Sequence, residues 1–250
     1  MKTVGELLLN GMVATYFPDQ IVMLVLCYII TALAAYALGS LNWAVIISHV
    51  KYHDDIRKHG SGNAGMTNML RTYGKADAAL TFLGDALKTA IAILVGMLLV
   101  GAVHGGNYVG GCFAILGHVF PCYYGFKGGK GVVASAVTIL MLDPLVFGII
   151  IAVFVVVVAI SRYISLGSVI CAMLYPLLVY MHSSPATRPV ATSVALLIGL
   201  FVIFLHRSNI ERLMTGKENK LSLSFGKKKN ESKTYTVKKE SADKTNKKKH

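Results

Sequence analysis

The chain has 250 residues, of which 54% are hydrophobic and only 15% charged, with a net charge of +13. Soluble domains carry about a quarter charged residues, so the composition excludes an ordinary soluble enzyme and points to an integral membrane protein. Residues 20–50 and 89–126 contain no Asp, Glu, Lys or Arg, and each run exceeds the roughly 20 residues that cross a bilayer as a helix.

In chain order, residues 1–19 read as a short amphipathic segment on the membrane surface. Glu6 soon after Lys2, and Pro18-Asp19 before the long apolar run, argue against a cleavable signal peptide. A first span is expected over about 20–50, longer than one crossing needs and therefore tilted or kinked, with Gly39-Ser40 as the kink. A polar, basic loop follows at 51–75. A second span covers about 76–103, with Asp77, Asp85 and Lys88 near its start, and His104 to Asn107 forms a turn. Two short segments, about 108–122 and 132–142, flank a glycine-rich island. Asp143-Pro144 breaks the chain. Residues 145–160 are rich in Val and Ile, which in water favour strands; in lipid, backbone satisfaction forces a helix. Spans at about 169–181 and 190–205 complete the set. Residues 207–250 hold 14 Lys or Arg and 5 Asp or Glu. They read as a basic tail without apolar periodicity, disordered beyond about Leu223.

The expected fold is all-α, a polytopic transmembrane helical bundle of about seven spans, or five plus a re-entrant pair if 108–142 does not cross. The domains are a segment at 1–19, a membrane domain at 20–206 and a tail at 207–250. Arg188 is the only Lys or Arg in the 104–107, 143–144 and 182–189 connections. The positive-inside rule therefore puts the polar islands and the C-terminus in the cytoplasm and the N-terminus outside. A basic tail beside a membrane domain suits anionic lipid better than nucleic acid. Cys27, Cys112, Cys122 and Cys171 stand singly in apolar surroundings, with no metal spacing and no CxxC pair, so no metal or cofactor is expected.

Three polar islands converge on one membrane face. The first, RKHGSGNAGMTNMLR, joins Gly60, Gly62 and Gly65 to Ser61, Asn63, Thr67 and Asn68, with Arg57, Lys58 and Arg71 for charge. Such a loop suits phosphate, through backbone N–H groups and guanidinium forks. The second, GHVFPCYYGFKGGKG, carries Lys127 and Lys130 among glycines. It is no Walker A loop, since Gly131 stands where Ser or Thr would follow the lysine. The third, SRYISLGS, offers Arg162, Ser165 and Ser168, and His206, Arg207 and Asn209 emerge beside it. His49 and Asp54 have the spacing of His-x4-Asp glycerolipid acyltransferases, but polar residues at a helix end are the simpler account.

Taken together, the islands resemble the signatures of the bacterial acyl-phosphate-dependent glycerol-3-phosphate acyltransferases, a family of small polytopic membrane enzymes. Gly60-Ser61-Gly62-Asn63 centres the first signature, with Met66 where Ala is usual. Gly117-His118, Phe120-Pro121 and Phe126 through Gly131 (with Gly128 and Gly129) match the second, and Tyr123-Tyr124 fits more loosely. RYISLGS resembles the third, and HRSNIERLMTGKEN the family's ending. Gly39-Ser40 resembles another family element, although Asn42 stands where Pro is usual.

The resemblance, over about residues 20–220, implies transfer of a fatty acyl group from a long-chain acyl phosphate to the 1-hydroxyl of glycerol 3-phosphate. Lysophosphatidic acid and phosphate are the products, and the site lies at the cytoplasmic face of the bacterial cell membrane. It implies catalytic roles for His206, Asn209 and Lys130. Substrate contacts would come from Ser40, Arg57, Gly60, Ser61, Gly62, Asn63, Thr67, Asn68, His118, Lys127, Gly128, Gly129, Gly131, Arg162, Ser165 and Ser168. It also discounts His49 and Asp54. The acyl chain is expected in a groove between helices, open to lipid. The alternative reading is an anion or phosphate-ester transporter; such proteins tend to carry internal repeats and midplane sites, and no repeat is visible here.

Overall fold

Helix is the only secondary structure an apolar chain can adopt alone in lipid, because each segment must satisfy its own N–H and C=O groups. The computed structural model describes residues 3–17 and 20–221. Among the described residues there are eleven α-helices, two 3-10 turns and no strand. The helices are α1 (Val4–Tyr16), α2 (Ile21–Gly39), α3 (Trp43–Tyr52), α4 (Met66–Thr72), α5 (Lys75–Leu99), α6 (Gly106–Val119), α7 (Val132–Leu142), α8 (Pro144–Ser161), α9 (Ile164–His182), α10 (Arg188–Leu205) and α11 (Arg207–Met214). The Val- and Ile-rich segment is the helix α8, as the lipid argument requires.

Among the described residues, five stretches are long and apolar enough to cross a membrane: Ile21–Tyr52, α5, α8, α9 and α10. The sequence expectation of about seven also counted α6 and α7. These have 14 and 11 residues, short of the roughly 20 that a crossing takes.

The kink expected at Gly39-Ser40 separates α2 from α3. Asn42 caps α3 by accepting from the Val45 N–H at 3.2 Å, and its amide donates to the Ala64 carbonyl at 3.2 Å. At the other break, Asp143 caps α8 through the Val146 N–H at 3.0 Å, with Pro144 as the first helical residue. Both caps satisfy donors that a helix start leaves open.

α6 is the packing centre of the first half. A side chain at Gly106 or Gly110 would strike α5 backbone at Gly96 or Ala92, and one at Gly117 would strike the Tyr36 carbonyl of α2. Small residues thus let three backbones approach closely, which is how membrane helices gain packing when hydrophobic burial gives no drive. The second half has its own core, in which Val146, Ile150, Cys171, Ala172, Tyr175, Ala195, Ile198 and Val202 are buried together.

Four boundaries differ from the sequence reading. Gly117 and His118 lie inside α6, so the second island begins only after Val119. The third island shrinks to Arg162 and Tyr163, and Ser165 and Ser168 occupy the first turns of α9. Residues 207–214 form a helix; its pattern is polar because only Asn209 is buried. The segment expected on the surface at 1–19 contains α1, which bends at Gly11 (φ +80°) and packs on the end of α5. There the Leu8 and Leu9 carbonyls accept the Ala102 and Val103 N–H groups at 3.0 Å. The compact unit extends through Asn219. The disorder expected beyond Leu223 falls outside the described residues.

Candidate active site

The first island owes its shape to Asn68, one turn into α4 and 1% exposed. Its amide nitrogen lies 3.2, 3.0 and 3.0 Å from the carbonyls of Ile56, His59 and Asn63, and its Oδ1 accepts the Ser61 N–H at 3.0 Å. One side chain therefore replaces the missing ladder of a whole loop. Gly60 (φ +56°) must be glycine here, since a Cβ would meet Asn68 Oδ1. Asn68 touches the cavity described below, but its hydrogen-bonding capacity is used by the loop.

Arg57 is engaged in the same way. Its Nε and Nη2 grip the Asp55 carboxylate at 2.8–3.1 Å, and Nη1 donates to the carbonyls of Tyr124 at 2.7 Å and Lys127 at 3.1 Å. It clamps the first island to the second. Arg57, Gly62, Lys127 and Gly128 line a shallow recess between these loops, apart from the main cavity. Ser40 lies in neither. Its hydroxyl donates to the Tyr36 carbonyl at 2.8 Å and accepts the Cys122 N–H at 3.3 Å, pinning the second island to α2. Gly128 and Gly129 lie against the end of α6, where their N–H groups reach the Val119 and His118 carbonyls at 3.0 and 3.2 Å. Gly60 and Arg162 also fall outside the main cavity. Arg162 is exposed and ends α8 in a left-handed conformation (φ +63°).

The main cavity has a volume of about 290 Å³. It gathers Ser61, Asn63, Thr67, Asn68, His118, Lys130, Gly131, Ser165, Ser168, His206 and Asn209 from five parts of the chain, and adds Asp85, Arg71, Arg212 and Glu218. Glu218 is the hub of the polar end, with its side chain 5% exposed. Its carboxylate accepts from Asn209 Nδ2 at 2.8 Å, Arg212 Nε at 2.7 Å and Ser165 Oγ at 3.0 Å. Asn209 in turn accepts from Lys130 Nζ. Burial alone would raise the Glu218 pKa, but these three donors outweigh it and hold the carboxyl below the usual range.

Lys130 is the tuned cation of the set. Burial, and then repulsion from Arg212, Arg71 and Arg207, push its pKa down to about 8 against the pull of Glu218. Desolvation and like charge both disfavour the ammonium form. His206 closes this end: its Nδ1 lies 2.8 Å from the Val202 carbonyl. A carbonyl can only accept, so Nδ1 carries the proton and Nε2 is left as a proton acceptor. Beyond the polar end the cavity turns apolar, along Ile139, Phe147, Ile150, Phe154, Ala172, Tyr175 and Ile198.

A buried ionic cluster supports the cavity from below. Lys88 Nζ lies 2.8 Å from Asp85 Oδ1, 3.1 Å from His118 Nδ1 and 2.8 Å from the Leu41 carbonyl. It ties the α2–α3 break, α5 and α6 together under the second island. This fixes His118, which the side chain of any residue replacing Gly129 would strike. Sequence reasoning passed over Asp85 and Lys88, although charges inside a span are the available signal. Arg212 and Glu218 were hidden in the supposed tail, and only the resemblance touched them. Ser168 donates to the Ile164 carbonyl at 3.0 Å, one turn back in its own helix. His49 and Asp54 do not pair: His49 Nδ1 meets the Val45 carbonyl at 2.9 Å, and Asp54 bonds His59 at 2.6 Å and Tyr73 at 3.2 Å.

A helical membrane bundle with one cavity that is cationic at the loop end and apolar between its helices is built as a membrane-embedded site for an anionic head and an aliphatic chain. A family model, glycerol-3-phosphate acyltransferase, matches residues 29–216, and the chain belongs to that family. A glycerol-3-phosphate acyltransferase of Clostridioides difficile is 40% identical over 203 residues, covering 80% of this chain and 98% of that one. A namesake in Syntrophomonas wolfei is 39% identical over 210 residues, covering 82% and 98%. The crystal structure of PlsY (YgiH), an integral membrane glycerol 3-phosphate acyltransferase, superposes in its glycerol 3-phosphate form with a TM-score of 0.69 at 33% identity, over 78% of this chain and 96% of that one. Its lysophosphatidic acid form gives 0.66 at 32% identity.

Proposed function

We propose that this protein transfers a fatty acyl group from an acyl phosphate to the 1-hydroxyl of sn-glycerol 3-phosphate. Lysophosphatidic acid and inorganic phosphate are released, in the first acylation of phospholipid synthesis. The site opens to the cytoplasmic face of the bacterial cell membrane, where the positive-inside rule puts the basic loops. The observation that carries the reading is the joining, in one cavity, of Arg71, Lys130 and Arg212 with an apolar slot between α7, α8, α9 and α10. Both substrates are phosphate monoanions or dianions and one has an acyl tail, so a polar end with excess cations and an apolar extension fits the pair. The glycerol 3-phosphate and lysophosphatidic acid forms of PlsY correspond to an acceptor and a product of this reaction.

An acyl phosphate is a mixed anhydride and already activated, so the enzyme's task is orientation and charge stabilisation. Arg71 and Arg212 bind phosphate, and Lys130 stabilises the carbonyl oxygen as it becomes an oxyanion. Asn209 occupies one of the three ammonium N–H donors of Lys130, which leaves two for substrate. The acceptor hydroxyl forms a C–O bond to the acyl carbon, the bond from that carbon to the phosphate oxygen breaks, and inorganic phosphate departs. The hydroxyl proton passes to His206 Nε2 or to a phosphate oxygen. Glu218 acts through its neighbours, holding Asn209, Arg212 and Ser165 in register. The Ser61–Thr67 loop supplies one wall.

Purified protein, incubated with glycerol 3-phosphate and either palmitoyl phosphate or palmitoyl-CoA, tests the reading directly. Lysophosphatidic acid and phosphate should appear in equal amounts with the acyl phosphate and not with the thioester. Absence of product from palmitoyl phosphate would overturn it.

A further inference from the structure

The apolar slot has a defined length. Its deepest lining residues are Ile139 on α7, Phe147 on α8, Tyr175 on α9 and Ile198 on α10. At about 1.5 Å of rise per residue, Ile139, Tyr175 and Ile198 lie about 12, 15 and 12 Å from the polar end, along α7 from Gly131, α9 from Ser165 and α10 from His206, and Phe147 lies about 21 Å along α8 from Ser161. Three of the four lining helices therefore agree on where the slot stops, and the α8 lining reaches further, to Phe147. Behind this ring the interior is filled: Val146 is 1% exposed, Ala195 0% and Val179 5%. Tyr175 is itself 3% exposed, and with Tyr108 and Cys112 of α6 it belongs to the packed core that continues toward the far end of the bundle. The sides are different. Phe82 and Ile151, at the lips of the cavity, are 43% and 40% exposed.

We propose that Tyr175 is the stop of an acyl-chain ruler: the chain slips in sideways from the bilayer between lipid-facing lips, and its methyl end comes to rest against the Tyr175 ring. The hydrocarbon core of a bilayer is about 30 Å thick. The slot is therefore about one leaflet deep, so the ruler favours acyl groups that span one leaflet. Methylenes short of Tyr175 gain by burial; methylenes beyond it have no room and must bend back to the lips. This inference rests on the acyl-phosphate reading given above and adds to it a residue that sets chain-length preference.

The test is kcat/KM for octanoyl, dodecanoyl, palmitoyl and stearoyl phosphate at saturating glycerol 3-phosphate. The wild-type protein should gain up to about fourfold per added methylene, the ~0.8 kcal/mol of burying one CH2, until the slot is full, and then stop gaining. Tyr175→Ala should move that break to longer chains, raising the stearoyl-to-dodecanoyl ratio about 15-fold, on the order of two methylenes at this increment. Tyr175→Phe should leave the break in place. Ala172→Leu, which fills the slot from its wall, should move the break to shorter chains, and it decides the matter if Tyr175→Ala proves unfolded by thermal melting. A break that stays put in the folded variants, or a wild-type profile with no break, overturns the ruler while leaving the acyl-phosphate reading intact. If no acyl phosphate is a substrate at any length, it is that underlying reading which fails.

Discussion

Lys130 is where the residue-level chemistry concentrates. It stands in a crowd of arginines, and burial with that crowd brings its pKa to about 8, so it is mainly ammonium below this pH and mainly neutral above. The sign for catalysis follows directly: stabilising the developing oxyanion as a cation needs the proton and weakens as pH rises through about 8. kcat at saturating glycerol 3-phosphate, measured from pH 7 to 10, should fall by up to about tenfold per unit above the break, as the protonated fraction of Lys130 does. Lys130→Arg keeps its charge over this range and should remove the break. Lys130→Ala should lower kcat/KM by about 100 to 1000-fold, the usual loss of a donor at a developing oxyanion. Near-normal turnover in the alanine variant would exclude Lys130 from the site. Glu218 offers a second check. Glu218→Gln keeps the shape but weakens the grip on Arg212 and Asn209, and it should cost activity without changing the position of the Lys130 break by more than the loss of one neighbouring negative charge. That loss lowers the Lys130 pKa further, so the break moves to lower pH.

At the level of elements, the site depends on short connections held by single side chains. Asn68 organises the first island, and Arg57 clamps that island to the second. Asn68→Ala leaves the half-buried N–H of Ser61, the buried Ile56 carbonyl and the half-buried His59 and Asn63 carbonyls with one partner fewer, at up to about 1–3 kcal/mol for a buried group left open. Thermal unfolding should fall by several degrees, and KM should rise more than kcat falls, because the wall of the cavity loosens while Lys130 stays. Arg57→Lys should lose most of the clamp despite the retained charge, since the fork that spans Asp55, Tyr124 and Lys127 is planar and multidentate. A variant that binds glycerol 3-phosphate normally would show that the clamp is not needed to hold the loops. α6 makes the same point through absence: its glycines allow the approach of α2 and α5 that sets the Lys88–Asp85–His118 cluster under the second island.

For the whole molecule, the match to the family model ends at residue 216, just before Glu218 and well short of the Lys-rich end. Deleting residues 224–250 removes ten lysines, the charge that the sequence reading expects to contact anionic lipid. Turnover in detergent should be unchanged, whereas a protein that works as a scaffold through its tail would lose its function. A transporter reading is also weakened at this scale, since the slot stops against Tyr175 and the packed core behind it.

Helical class, the membrane setting, the Gly39-Ser40 kink, the Asp143-Pro144 break and the three islands were legible in the sequence. They are local: charge-free runs, turn residues and glycine clusters act on the chain within a few neighbours. The sequence also carried His206, Asn209 and Lys130 into the candidate site, through the resemblance of its motifs. What it could not divide was the glycine-and-charge population of the islands. Arg57, Ser40 and Asn68 look like ligands in one dimension, yet in three their hydrogen bonds are taken by the backbone of other loops. Arg212 and Glu218 look like solvated tail, yet α11 folds back so that Glu218 sits at the centre of the cationic end. Hydrogen-bonding capacity is spent on whichever partner the fold brings near, and those partners lie up to 70 residues away for Arg57 and 53 for Ser165. Residue types and their spacing determined that this protein could hold phosphate at a membrane surface; only the tertiary structure decided which charges face the cavity, because that depends on distances that no local pattern encodes.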